Sequence, residues 1–201
     1  SYRQFKLEVV QSLSTALDTE VRVGSKAISI KGNGNRRDLD VLVAADFRGY
    51  WDFQSVAQQG YARGIVFWKN EAVRIVNFPK QHAENCTAKH QATSRRFKPM
   101  VRVLKNMRNK MIQDGYLADG VAPSYYLEGL LSNAPNQDFV SGFQDTFNWT
   151  MYELRKMDQS QMKCANGIHY LVRDGSEVNW ASDDFRTYMQ QVQTYWDDYR
   201  P

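Results

Sequence analysis

Four positions in two short stretches carry most of the chemistry this sequence can do. Arg102 and Lys105 stand three residues apart in FKPMVRVLKNMR, and Ser124 and Tyr125 open the stretch PSYYLEGLL. Arg supplies a planar fork of donors and Lys a compact point charge, so the two on one helix face can clamp a polyphosphate. The surrounding charge is one-signed. From Asn85 through Gln113 there is no Asp or Glu, while Lys89, Arg95, Arg96, Lys98, Arg102, Lys105, Arg108 and Lys110 are all present. Such a field suits an anionic partner, a nucleotide or a nucleic acid. The alternative is a solvated basic face, although such a face normally interleaves acids as i,i+4 partners. Ser124, near a helix start, can donate to a phosphate beside free backbone N–H groups. An exposed Tyr125 can stack on a base, a contact worth ~1–3 kcal/mol. The alternative places Tyr125 and Tyr126 in the core, since Leu127, Leu130 and Leu131 follow them.

Asp38-Leu39-Asp40 forms a second candidate, behind the glycine-rich turn KGNGNRR. A carboxylate pointing off a strand can hold Mg²⁺ or receive the proton of an attacking hydroxyl. It can equally cap the turn, and metal-assisted phosphoryl transfer usually needs two or three converging carboxylates.

Elements must position these groups. Residues 3–18 read as a helix in which Phe5, Val9, Leu13 and Leu17 recur at helical spacing. VRV and KAISIK follow as strands, with Ile28 and Ile30 alternating against Ala27, Ser29 and Lys31. DLDVLVAADF reads as one strand, Leu39, Val41 and Val43 on one face and Asp38, Asp40 and Leu42 on the other. GIVFW and AVRIVNF read as a hairpin about Lys69-Asn70-Glu71. After Pro79 the pattern turns helical, over 95–113, 123–133, 138–157 and Trp180–Tyr199. In the first of these, Phe97, Met100, Leu104, Met107 and Met111 make an apolar stripe, and Lys98, Arg102, Lys105 and Asn109 lie on another face. The order predicts an α+β protein with a sheet domain over 1–80 and a helical lobe over 81–201.

Composition narrows the class. Hydrophobic residues make up 42% and charged residues 24% of 201 residues, which is ordinary for a folded domain. No apolar run approaches the ~20 residues of a membrane span, and SYRQFKLEVV lacks a signal-peptide layout. Cys86 and Cys164 lie far apart, and two buried free thiols in a reducing cytoplasm are expected. His82, His90 and His169 make no HxxxH or CxxH pattern with them, which argues against zinc.

Taken in order, these pieces resemble the nucleotidyltransferases that include 2′-5′-oligoadenylate synthetase and the bacterial cGAS/DncV-like enzymes of antiviral defence. RRDLDVLVAADFRGY, FPKQHAENCTAKHQATSRRFKPMVRVLKNMR and APSYYLEGLL carry the likeness, which runs over nearly the whole chain. It implies part of a polymerase-beta-like nucleotidyltransferase fold, a mixed sheet packed on a C-terminal helical lobe. It also implies NTP substrates such as ATP or GTP, Mg²⁺ or Mn²⁺ as cofactor, and a cyclic oligonucleotide product. Arg102 and Lys105 then match the donor-triphosphate cations, Ser124 and Tyr125 the phosphate and base contacts, and Asp40 the third catalytic aspartate, with Asp38 as the alternative metal ligand. The family opens with a Gly-Ser turn and a DxD pair. Gly24-Ser25 precedes Asp38-Leu39-Asp40, but KAISIK between them reads as a strand where the family has a short turn and helix. The resemblance therefore implies a chain lacking the N-terminal segment with the first two metal ligands, and inactive without that segment or an activating protein. Two other readings stand beside it: a non-catalytic nucleotide- or RNA-binding domain, and a minimal site of Gly24-Ser25 with Asp38 and Asp40, as in small nucleotide-transferring toxins.

Overall fold

Ser1 accepts a hydrogen bond from the Gln4 amide and so caps the helix Tyr2–Ala16 (α1). The structure, a computed structural model, describes residues 1–70 and 72–199. These fall into two units, Ser1–Phe78 and Pro79–Pro201. Arg200 and Pro201, which end the expected helical lobe, lie outside the described residues.

In the first unit, Val21–Val23 (β1), Ile28–Ile30 (β2) and Leu39–Val41 (β3) form an antiparallel sheet in that order. Gly24 and Ser25 sit in the tight β1–β2 turn, closed by the Gly24 N–H on the Ala27 carbonyl at 2.8 Å. Ala45–Ser55 (β4), Gln58–Lys69 (β5) and Val73–Asn77 (β6) form a second antiparallel sheet. Asn70 turns between β5 and β6 with φ of 50°; Glu71, expected in that turn, lies outside the described residues. DLDVLVAADF is thus two strands rather than one: β3 pairs with β2, β4 with β5, and Leu42–Ala44 carries the chain between sheets. The sequence reads as one strand because alternation runs unbroken through the switch. Val43 is buried in that crossing, and its carbonyl accepts from the Tyr2 hydroxyl at 3.0 Å.

The second unit is helical: Pro79–Ala92 (α2), Phe97–Gln113 (α3), Ser124–Asn133 (α4), Phe143–Lys156 (α5) and Ser182–Tyr199 (α6), with one 3₁₀ turn at Asn136–Asp138. Met100, Leu104 and Met111 of α3 pack into one core with Leu127, Leu130 and Leu131 of α4, Met151 of α5, and Tyr188 and Val192 of α6. Trp180 is buried among them, its indole N–H on the Val121 carbonyl at 2.7 Å. The stripe read from the sequence is the buried face of α3. α2 is the helix that sequence reasoning missed. Cys86 is its buried residue, and polar anchors help hold it, among them the Asn85 side chain on the Ala165 carbonyl at 2.9 Å. No described helix is long and apolar enough to cross a membrane.

Candidate nucleotide-binding site

α2 and α3 are joined by a turn in which Ser94 and Arg95 both have positive φ, 49° and 65°. Thr93, buried beneath it, receives the Phe97 amide at 3.0 Å and starts α3. From that start, Lys98, Arg102 and Lys105 fall on successive turns facing one cleft, of about 200 Å³, also lined by Cys86, Val101 and Glu128. That volume is below the ~300–1,000 Å³ of most small-molecule sites, too small to enclose a whole nucleotide. Arg102 makes no hydrogen bond or ion pair among the described residues. The field is legible in His90, whose pKa is lowered first by desolvation and then by Lys98, Arg95 and Arg102. Its Nδ1 accepts the Lys98 amide at 3.3 Å, a bond only the neutral ring can make.

Lys105 is anchored from the next helix. Its ammonium bonds Glu128 Oε1, and His82 Nε2 meets Glu128 Oε2 at 2.5 Å. All three side chains are largely buried, with 28%, 24% and 16% of Lys105, Glu128 and His82 exposed. The Cys86 sulfur and then the Glu128 carboxylate raise the His82 pKa to about 9, against an opposing effect of burial. Nδ1 of His82 is buried without a well-formed hydrogen bond, so the firm contact is the carboxylate at Nε2. Glu128 is held below the usual carboxylate range by His82 first and Lys105 after burial's opposing effect. The acid absent from α3 is therefore supplied by α4.

The same histidine carries Tyr125. The two rings stack at 4.9 Å and 19°, and the phenol oxygen accepts from Asn166 Nδ2 at 2.9 Å. Burial pushes the Tyr125 phenol pKa upward. Tyr126 stacks instead on Trp180. Both tyrosines are half-buried and pack on the core. Ser124 begins α4 behind Pro123 at the cap position, and its hydroxyl lies 3.3 Å from Arg108 Nη2. Sequence reasoning singled out Lys105 and Tyr125 as candidates but not His82, Glu128 or Asn166, which hold them in place; His82 and Glu128 are 46 residues apart.

Asp38 and Asp40 belong to the first unit, along an open concavity with Glu20, Arg22, Ser29 and Lys31. Asp38 is committed to the turn: it accepts from the Gly32 amide at 2.8 Å and from Lys31 at 3.2 Å, which lower its pKa in that order. Asp40 accepts from the Ser29 hydroxyl at 2.6 Å and stays exposed. Among the described residues, the one set of three metal-type donors close together is His82, Cys86 and Glu128, so Asp38 and Asp40 gather no third donor. With one oxygen taken by Ser29 and no set of three donors gathered around it among the described residues, Asp40 by itself falls short of the two or three carboxylates that a Mg²⁺ site for phosphoryl transfer uses. Cys86 and Cys164 are both buried free thiols.

Residues 84–197, more than half of the chain, match the family model described as the cGAS/DncV-like nucleotidyltransferase C-terminal helical domain. The chain belongs to this family. Among cGAS/DncV-like relatives, the cyclic UMP-AMP synthase of Rhodothermus marinus (strain SG0.5JP17-172) is 33% identical over 179 residues, covering 89% of this chain and 60% of that protein. The solved structure of Rhodothermus marinus CdnE c-UMP-AMP synthase with Apcpp and Upnpp superposes with a TM-score of 0.89 at 30% identity, over 100% of this chain and 68% of the other. That of Elizabethkingia meningoseptica CdnE cyclic dinucleotide synthase with GTP and Apcpp gives 0.84 at 27%, over 100% and 72%. The α+β fold is that of the CdnE nucleotidyltransferases. The chain spans 60% of the length of the Rhodothermus synthase.

Proposed function

We propose that this chain supplies the nucleotide-holding part of a nucleotidyltransferase that joins NTPs such as ATP or GTP into a cyclic oligonucleotide messenger. The observation that carries this is the cation row Lys98, Arg102 and Lys105, on a helix without acids of its own, along one cleft. Arg102 and Lys105 hold the donor triphosphate, the first through its planar fork and the second from its seat on Glu128. Ser124 donates to phosphate at the α4 start. Tyr125, backed by His82 and tethered by Asn166, offers its other face to the base. Asp40 would be one ligand of a Mg²⁺ or Mn²⁺ ion, and the chemistry such an ion would supply is acidification of the ribose hydroxyl and neutralisation of charge on the pyrophosphate. Two further carboxylates must join Asp40, so the 201 residues are inactive by themselves.

The reading is checked by calorimetric titration of Mg²⁺-ATP and Mg²⁺-GTP into the chain. Arg102 has no hydrogen bond or ion pair among the described residues to disturb, so Arg102→Ala weakens triphosphate binding by roughly tenfold or more, as expected for a lost charged hydrogen bond. Unchanged affinity would overturn the assignment. RNA bound more tightly than triphosphate, with no effect of Mg²⁺ or of Asp40→Ala, would favour a non-catalytic RNA-binding role instead. Mixed with NTPs and Mg²⁺, the chain forms no nucleotidyl product; product that disappears in Asp40→Ala would show a complete site within these residues.

A further inference from the structure

We propose that His82, Cys86 and Glu128 form a binding site for one zinc-class divalent cation, separate from the Mg²⁺ chemistry assigned to Asp40. His82 and Cys86 are four residues apart on α2 and so share a face, and Glu128 meets them from α4. One donor atom from each, an imidazole nitrogen, a thiol sulfur and a carboxylate oxygen, lies within 4.8 Å of the other two. Nitrogen, sulfur and one oxygen make a borderline-soft set that favours Zn²⁺ and disfavours Mg²⁺, whose preference is for oxygen alone. Three protein donors leave the fourth tetrahedral position open, and Cys86 and Glu128 both line the α3 cleft from which a water or ligand atom can fill it.

The groups around the three donors are arranged for such an ion. An ion seated between His82 Nε2 and Glu128 Oε2 takes the place of the hydrogen bond that joins them at 2.5 Å. Zinc–ligand bonds of ~2.0–2.2 Å at a tetrahedral angle require that gap to open to about 3.4 Å, a shift of under about 1 Å for two side chains on neighbouring helices. Glu128 then binds by one oxygen. Its other oxygen already carries the Lys105 ammonium, which becomes the outer donor that orients a metal-bound carboxylate. Zn²⁺ binding displaces the thiol proton of Cys86 to solvent, so affinity falls as pH is lowered.

The test uses the intact chain under reducing conditions, with Co²⁺ as a spectroscopic stand-in for Zn²⁺, and does not depend on the nucleotide reading. One equivalent of Co²⁺ should give tetrahedral ligand-field bands with a thiolate-to-cobalt charge-transfer band, displaced by Zn²⁺. Cys86→Ala and Cys86→Ser should each remove the charge-transfer band and weaken Zn²⁺ binding at least about tenfold, while Cys164→Ser leaves both unchanged. Glu128→Gln should weaken binding but keep the thiolate band. Circular dichroism establishes that each variant is folded, and Zn²⁺ should raise the melting temperature of the wild type and not of Cys86→Ala. An octahedral Co²⁺ spectrum without thiolate character, or binding equal in wild type and folded Cys86→Ala, overturns the proposal.

Discussion

Glu128 answers two cations at once, one from α2 and one from α3, and its charge rather than its shape is what they need. Glu128→Gln is expected to destabilise the fold by about 2–3 kcal/mol, less than the ~3–5 kcal/mol of a fully buried broken pair because about a quarter of the side chain is exposed. The deficit has a pH signature. His82 titrates at about 9 when folded against 6.5 ordinarily, so its contribution is complete below pH 6.5 and is lost as pH rises through 9. Glu128, with a lowered pKa, contributes above its ordinary value and loses that contribution as pH falls. With chelator present, the difference in unfolding free energy between wild type and Glu128→Gln should shrink as pH is raised from 6.5 past 9. A constant difference across that range would mean that the His82 charge does not stabilise the fold. Of the groups gathered here, Lys105 and Tyr125 were legible because each sits in a local pattern: a cation row without acids, a tyrosine at a helix start. His82 and Glu128 were not, since each looks ordinary in its own stretch and only tertiary packing makes them neighbours.

Among the elements, α3 and α6 could be read directly because each repeats an apolar stripe over four or five turns. α2 could not, because PKQHAENCTAKHQA offers little apolar periodicity and its packing relies on hydrogen bonds to Ala165 and Ala134. The β3–β4 switch was hidden for the opposite reason: alternation continued where the pairing partner changed. β5 exposes a constraint of its own. A Cβ at Gly64 would stand 2.5 Å from the Asn77 carbonyl oxygen of the neighbouring strand and 2.8 Å from the Phe78 ring. Backbone cannot swing aside as a side-chain tip can, so Gly64→Ala should cost about 1–3 kcal/mol. Chemical denaturation of that variant measures the cost, and wild-type stability would show that β5 and β6 can part without loss.

At the scale of the whole chain, two units carry two kinds of group: an acidic strand in Ser1–Phe78, a cationic cleft in Pro79–Pro201. The cationic row has a consequence for the fold itself. Like charges three and four residues apart on a helix repel by about 0.2–0.5 kcal/mol a pair, and α3 carries no acids of its own to offset them. The buried stripe holds the helix in spite of that repulsion. Added electrolyte screens neighbours on α3 and also competes for any phosphate seated there. Folding and anion capture should therefore respond to ionic strength in opposite directions, the melting temperature level or rising while triphosphate affinity falls. Thermal melts and binding titrations over one salt series read both, and a melting temperature falling in step with affinity would mean that exposed ion pairs, not the apolar stripe, hold this unit together.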